Sequence, residues 1–128
     1  MHYFDNASTT FPKPESVYKK FDEAFRDYGA NPGRSGHKLA LRAMEEIMKT
    51  RLSLAKLFNV DNPLNLSFHM NTTYALNTAI KGTLKKGDHV ITTSMEHNSV
   101  LRPLFTLKEM GVIELTVVQA EKTGEVGK

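Results

Sequence analysis

The sequence predicts an α/β protein in which an N-terminal arm and two helices precede an incomplete parallel β-α-β-α-β unit. Apolar residues first recur at helical spacing, over residues 14–28 and 37–58. From residue 64 to residue 118, β-type segments then alternate with helical ones at short spacing. Such alternation implies a parallel sheet with right-handed crossovers. We therefore expect an arm at residues 1–13 and a partial domain at residues 14–128.

Both early helices are predicted from one-sided apolar stripes. Between them, Gly29 to Gly33 contains two glycines and a proline, which favour a chain break. The first stripe consists of Val17, Tyr18, Phe21, Ala24, Phe25 and Tyr28, and the second of Ala40, Met44, Ile47, Met48, Leu52, Ala55 and Phe58.

The strands are predicted from a change of period. Leu64 to Met70 alternates apolar and polar residues, whereas residues 89–93 and 112–118 are rich in β-branched side chains. Helices are expected between them, after Asn71 and from Ser99 to Met110. Three strands joined by two helices leave open edges, and the chain then continues into a polar, turn-like segment. We expect a fragment, or a subunit that borrows its remaining layers.

Composition narrows the function classes. The 17 Lys and Arg residues against 14 Asp and Glu give a net charge of +3, without a basic run longer than two, so a nucleic-acid module is only a weak alternative. The chain has no cysteine and no histidine–carboxylate spacing typical of a metal site. No signal peptide or membrane-spanning run is recognisable. We expect a cytoplasmic protein that binds neither metal, membrane nor nucleic acid.

The first candidate site is Asn71-Thr72-Thr73, where a strand is expected to end and a helix to begin. Free N–H groups, the positive end of the helix dipole and two hydroxyls could together bind a phosphate. Asn and Thr are also ordinary N-cap residues, so a purely structural cap is the alternative. The stretch is not a P-loop, because the required glycines and lysine are absent.

The second candidate site is the segment Ser94 to Ser99, which follows the expected strand at residues 89–93. His97 could stack on a planar ring or exchange protons near neutral pH. It could equally cap the following helix.

Four blocks of the sequence occur in a recognisable order, namely residues 3–10, 31–37, 71–77 and 87–101. Together they resemble the N-terminal part of the class V aminotransferase family, fold-type I pyridoxal-phosphate enzymes that include cysteine desulfurases and selenocysteine lyases. The resemblance covers essentially the whole chain. The sequence departs from the family pattern at Tyr74, where members commonly carry Glu, and at Asn71, where glycine is common.

Position by position, the resemblance implies that Asn71, Thr72 and Thr73 hold the phosphate of pyridoxal 5'-phosphate. It implies that His97 stacks on the pyridine ring and is a candidate to move protons at the substrate. The segment containing Asn31 and Arg34 would lie near the active-site mouth, and Ala7 and Ser8 would line the substrate side. The resemblance thus places all four residues near the substrate. The fold implied is the large domain of fold-type I transferases.

The resemblance also implies an activity, most simply release of sulfur from cysteine to leave alanine, in a homodimer. The Schiff-base lysine, the acid on the ring nitrogen and any sulfur-accepting cysteine come later in family members, so we expect the 128-residue chain alone to be inactive. The alternatives are a transaminase or selenocysteine lyase on the same scaffold, or a truncated binding or assembly paralogue.

One stretch, Arg34-Ser35-Gly36-His37-Lys38, imitates the context of a cofactor lysine. Lys38, however, opens a long amphipathic helix and precedes every expected strand. The stretch matches the early loop of the family rather than its late lysine loop. We therefore expect Arg34 to be informative there and Lys38 to carry no cofactor.

Overall fold

The computed structural model describes residues 2–34 and 36–126. The helices are α1 (Glu15–Asp27), α2 (Lys38–Phe58), α3 (Thr72–Thr83) and α4 (Asn98–Glu109), and the strands are β1 (Asp88–Thr93) and β2 (Ile113–Val118), with a 3-10 turn at Pro63–Asn65. The chain divides into two compact units, residues 1–66 and residues 67–128. The partial domain expected at residues 14–128 stays a prediction.

The first unit contains α1 and α2, which the apolar stripes predicted. The His37 side chain caps α2 by accepting a hydrogen bond from the Ala40 N–H, and Asn59, in the left-handed conformation, is the C-cap that follows Phe58. Tyr28, at the end of α1, is buried, and the Arg42 guanidinium of α2 lies 4.5 Å from its ring centroid. The outer apolar face of α1 is exposed at Phe21 and Phe25, whose rings contact each other.

Two ion pairs join α1 to α2 within this unit. Lys20 lies 3.4 Å from Glu46, and Arg42 lies 3.0 Å from Glu23. Lys49 lies 2.8 Å from the other oxygen of Glu46. Donation from Lys49, and then from Lys20, lowers the pKa of the Glu46 carboxyl below its usual value of 4.5.

Replacing Glu46 with glutamine is expected to lower the melting temperature at pH 7. Because its pKa is lowered in the folded state, ionised Glu46 stabilises the fold above about pH 4.5, and this contribution is lost as the pH falls through the folded-state pKa. The difference between the two proteins should therefore shrink as the pH falls below about 4.5. Glu45→Gln is the control, and a difference that persists in acid, or one of equal size in the control, would contradict this role.

The second unit contains the sheet, which is a parallel pair joined by α4. The register runs from Asp88 opposite Ile113 to Thr93 opposite Val118. α4 packs on both α3 and β2, and its buried Leu104 lies in the core with Ile113. The α/β class and the parallel arrangement predicted from the sequence are confirmed.

The predicted first strand, Leu64–Met70, is wrong. The Asn62 side chain accepts from the Leu64 N–H, and the Leu66 N–H donates to the Pro63 carbonyl, so the segment begins as a 3-10 turn. Among the described residues, only β1 and β2 form a ladder, and residues 66–70 are not part of it. The alternation of apolar and polar residues favours extended backbone, but a strand also needs inter-strand hydrogen bonds.

Within the part of the chain described, we find no helix that combines the length and the apolar character needed to cross a bilayer.

Candidate functional site

The start of α3 forms one side of the site. Asn71 is its N-cap, with extended backbone, and Asn71 Oδ1 accepts a hydrogen bond of 2.8 Å from the Tyr74 N–H. The Asn71 carbonyl accepts from the Ala75 N–H. Within the described residues, the N–H groups of Thr72 and Thr73 are left without an acceptor, as expected for a first helical turn. These N–H groups and the helix dipole favour an anion at this position.

The start of α4 forms the other side. His97 is the N-cap of α4, and its Nδ1 accepts from the Ser99 N–H at 3.1 Å. The Ser99 hydroxyl oxygen lies 2.8 Å from the same nitrogen. A nitrogen that accepts an N–H bond carries no hydrogen, so the neutral ring has its hydrogen on Nε2. His97 therefore does cap α4, as the structural alternative predicted. The cap uses only Nδ1 and leaves Nε2 available.

The two helix starts border one cleft of about 390 Å³ between α3 and α4. α3 contributes Thr73 together with Asn77 and Lys81, while His97 and Arg102 border the cleft on the α4 side. Its lining contains two side-chain cations and no carboxylate. Such a lining suits an anionic ligand.

A second, more open cavity of about 590 Å³ borders α3 and is lined by Asn71, Tyr74 and three residues that also line the cleft. The shared residues are Thr73, Asn77 and Lys81. Thr73 therefore borders both hollows. All three positions of the first predicted site, Asn71, Thr72 and Thr73, are exposed at the start of α3.

The predicted substrate-side residues belong to the other unit and are all exposed. The Ser8 hydroxyl donates to the Asp5 carboxylate at 2.6 Å, within a turn that also contains Ala7. Asn31 and Arg34 flank Gly33, whose φ of +87° favours glycine. Ser35 of the same predicted block lies outside the described residues. Asn31, Arg34, Ala7 and Ser8 each remain sequence predictions.

Sequence reasoning assigned no site role to most of the residues that border the cleft, among them Lys81, Arg102 and Ser99. Lys81 follows Thr73 by eight residues, and that spacing puts both on one helical face, so helical periodicity could have found it. The sequence indicates for Ser99 only a place in a capping segment. Among the described residues, no cluster of metal-ligating side chains is present.

Fold and site together define a class of protein. It is an α/β unit in which two neighbouring helix starts and two cations create a cleft for an anionic group, with a histidine ring at its border. A phosphorylated planar cofactor matches those chemical features.

Comparison with known proteins gives the family. Residues 2–127 match the profile of the family described as aminotransferase class-V, and the chain belongs to that family. Its members that act as cysteine desulfurases depend on pyridoxal phosphate. The resemblance noted from the four sequence blocks is thereby confirmed.

Individual relatives agree with the family. The chain is 37% identical over 125 residues to a probable cysteine desulfurase of Methanothermobacter thermautotrophicus, covering 97% of this chain and 30% of the relative. An apo cysteine desulfurase structure from Thermococcus onnurineus NA1 is similar with a TM-score of 0.84 at 28% identity, over 97% of this chain and 31% of that one. A structure of SspA in complex with cysteine is similar with a TM-score of 0.82 at 29% identity, over 94% of this chain and 35% of that one. The chain thus spans about a third of the length of these proteins.

Proposed function

We propose that this chain supplies the phosphate-binding part of a pyridoxal-phosphate enzyme that releases sulfur from cysteine and leaves alanine. The observation that carries the proposal is the cleft bordered by both Thr73 and His97. Membership of the class V family, and the similarity to a protein in complex with cysteine, support the chemistry and the substrate class.

The residues present fit the phosphate of this cofactor. The unpartnered N–H groups of Thr72 and Thr73, their hydroxyls and the dipole of α3 offer several donors to one dianion. The Asn71 side chain accepts from the Tyr74 N–H, so the N–H groups of Thr72 and Thr73 are the ones that remain available to the phosphate. Tyr74, where relatives commonly carry Glu, is exposed, so the departure leaves the donors intact.

His97 would lie against the pyridine ring, because it borders the same cleft as Thr73. Pyridoxal phosphate, when bound, serves as an electron sink for bonds at the α-carbon of an amino acid. The contribution of this chain is to hold the phosphate, to exclude water from one side of the ring and to move a proton at Nε2 of His97.

We also propose roles for groups that do not line the cleft. Ala7, Ser8, Asn31 and Arg34 would face the amino-acid substrate. We place the Schiff-base lysine, the acid on the ring nitrogen and any sulfur-accepting cysteine in sequence beyond Lys128. We also propose a cytoplasmic homodimer that binds neither nucleic acid nor membrane.

The test compares the 128-residue chain with a longer polypeptide that contains it. With pyridoxal phosphate, cysteine and a thiol reductant, the longer polypeptide should produce alanine and sulfide in equal amounts, and the chain alone should produce neither. Transfer of the amino group to a keto acid, preference for selenocysteine, or binding to a partner without turnover would each replace this function with an alternative. A stoichiometric pyridoxal-phosphate adduct on one lysine of the short chain, trapped with borohydride, would contradict the placement of the lysine.

A further inference from the structure

Ser99 makes two contacts with one nitrogen of His97. Its N–H donates to Nδ1 at 3.1 Å and its hydroxyl oxygen lies 2.8 Å from the same atom. Ser99 is only 8% exposed, so water has little access to replace the hydroxyl. Since Nδ1 accepts the N–H bond, the hydroxyl is also the donor in this resting arrangement.

The two contacts differ in what they allow. A backbone N–H can only donate, so it favours an Nδ1 without hydrogen. A serine hydroxyl can rotate and accept instead. If a proton arrives on Nδ1, the Ser99 oxygen is the acceptor already within hydrogen-bond distance, and the N–H bond is the one that is lost.

We propose that Ser99 is a positioning residue. Its hydroxyl can either donate a hydrogen bond to Nδ1 of His97 or accept one from it, and this allows His97 to exchange protons through Nε2. This inference rests on the proposed function, in which His97 serves the cofactor and substrate. In the resting ring Nε2 already holds a hydrogen, so it cannot accept another. Proton exchange at Nε2 needs a ring with hydrogen on Nδ1, and the Ser99 oxygen stabilises that form.

The proton balance needs only one proton from the solvent. The resting ring takes that proton at Nδ1, while the Ser99 hydroxyl turns from donor to acceptor. Nε2 then gives its proton to a substrate atom and later regains one from the substrate. The side-chain cations bordering the cleft with His97 are Lys81 from α3 and Arg102 from α4. No carboxylate lines this cleft, so among its described lining residues the Ser99 hydroxyl is the acceptor within hydrogen-bond distance of Nδ1.

The test follows the His97 ring by nitrogen and proton NMR in the 128-residue chain, without ligand. At one fixed pH, Ser99→Ala should lower the ratio of protonated to neutral His97 about fivefold, because the ionic hydrogen bond lost from the protonated ring is stronger than the neutral one lost from the resting ring. Ser99→Thr, which restores a hydroxyl, should restore the ratio. The cap contact from the Ser99 N–H is retained in all of these variants, so melting temperatures should stay close together.

Ser94→Ala is the matched control, because it removes a serine hydroxyl from the preceding loop whose contact is with the Ala120 N–H. It should leave the His97 ratio unchanged. Ser99→Cys, with a weakly accepting sulfur of similar size, gives the same test if the alanine variant does not fold. An unchanged or higher ratio in Ser99→Ala, or failure of threonine to restore it, overturns the proposal. Because the readout needs no turnover, absence of sulfur release would count against the proposed function alone.

Discussion

His97→Asn is expected to lower cysteine turnover by roughly 10²- to 10⁴-fold, the range typical of losing a general acid–base group. Asparagine is a strong N-cap residue and can accept from the first-turn N–H of α4 in place of Nδ1. It offers neither an aromatic ring nor a group that exchanges protons near neutral pH. Turnover is measured in the active form, which is either this chain or a longer polypeptide that contains it.

The variant separates catalysis from capping because its stability should stay close to that of the parent. His97→Ala, which also removes the cap, should lose about 1 kcal/mol of the free energy of unfolding. His37→Ala calibrates that loss, since His37 caps α2 through the same type of contact. If His97→Asn retained full turnover, or lost turnover only in proportion to its stability, His97 would be a helix cap and no more.

Thr73→Val is expected to weaken pyridoxal-phosphate binding about 10- to 100-fold. The substitution keeps the shape of the side chain and removes a hydroxyl, and a hydrogen bond to a charged group contributes roughly 1.5–3 kcal/mol. Thr73 is the threonine that lines both hollows beside α3. Equilibrium titration with pyridoxal phosphate measures the loss.

Two controls make this result specific. Thr78→Val removes a hydroxyl from the same helix that donates to the Tyr74 carbonyl and lines neither hollow, so its affinity should match the parent. Pyridoxal, which lacks the phosphate, should bind the Thr73→Val variant and the parent equally. Equal weakening for pyridoxal and pyridoxal phosphate would place the phosphate elsewhere.

The sequence predicted those elements whose signal is local. The stripe from Ala40 to Phe58 gives α2 at nearly its observed bounds, and β-branched residues mark β1 and β2. The failure at Leu64–Met70 has a physical reason, because alternation reports which faces a segment would present but not whether a partner strand is available.

The candidate site was predictable in part for the same reason. Asn71 and His97 each precede an apolar helical run, so both helix starts could be located from the sequence. That Thr73 and His97 border a single cleft depends on the packing of α3 on α4, which local pattern does not encode. Likewise, the two contacts from Ser99 to one histidine nitrogen depend on backbone geometry at the start of α4.

The most direct test of the central claim, that the cofactor phosphate is held at the start of α3 beside His97, is a titration of the 128-residue chain with pyridoxal phosphate followed by amide NMR. We expect saturable shifts at the N–H signals of Thr72 and Thr73 and at the ring of His97, with the two threonine shifts absent when pyridoxal is used. Saturable binding that leaves these three residues unshifted, or that shifts the threonines equally with pyridoxal, would contradict the account.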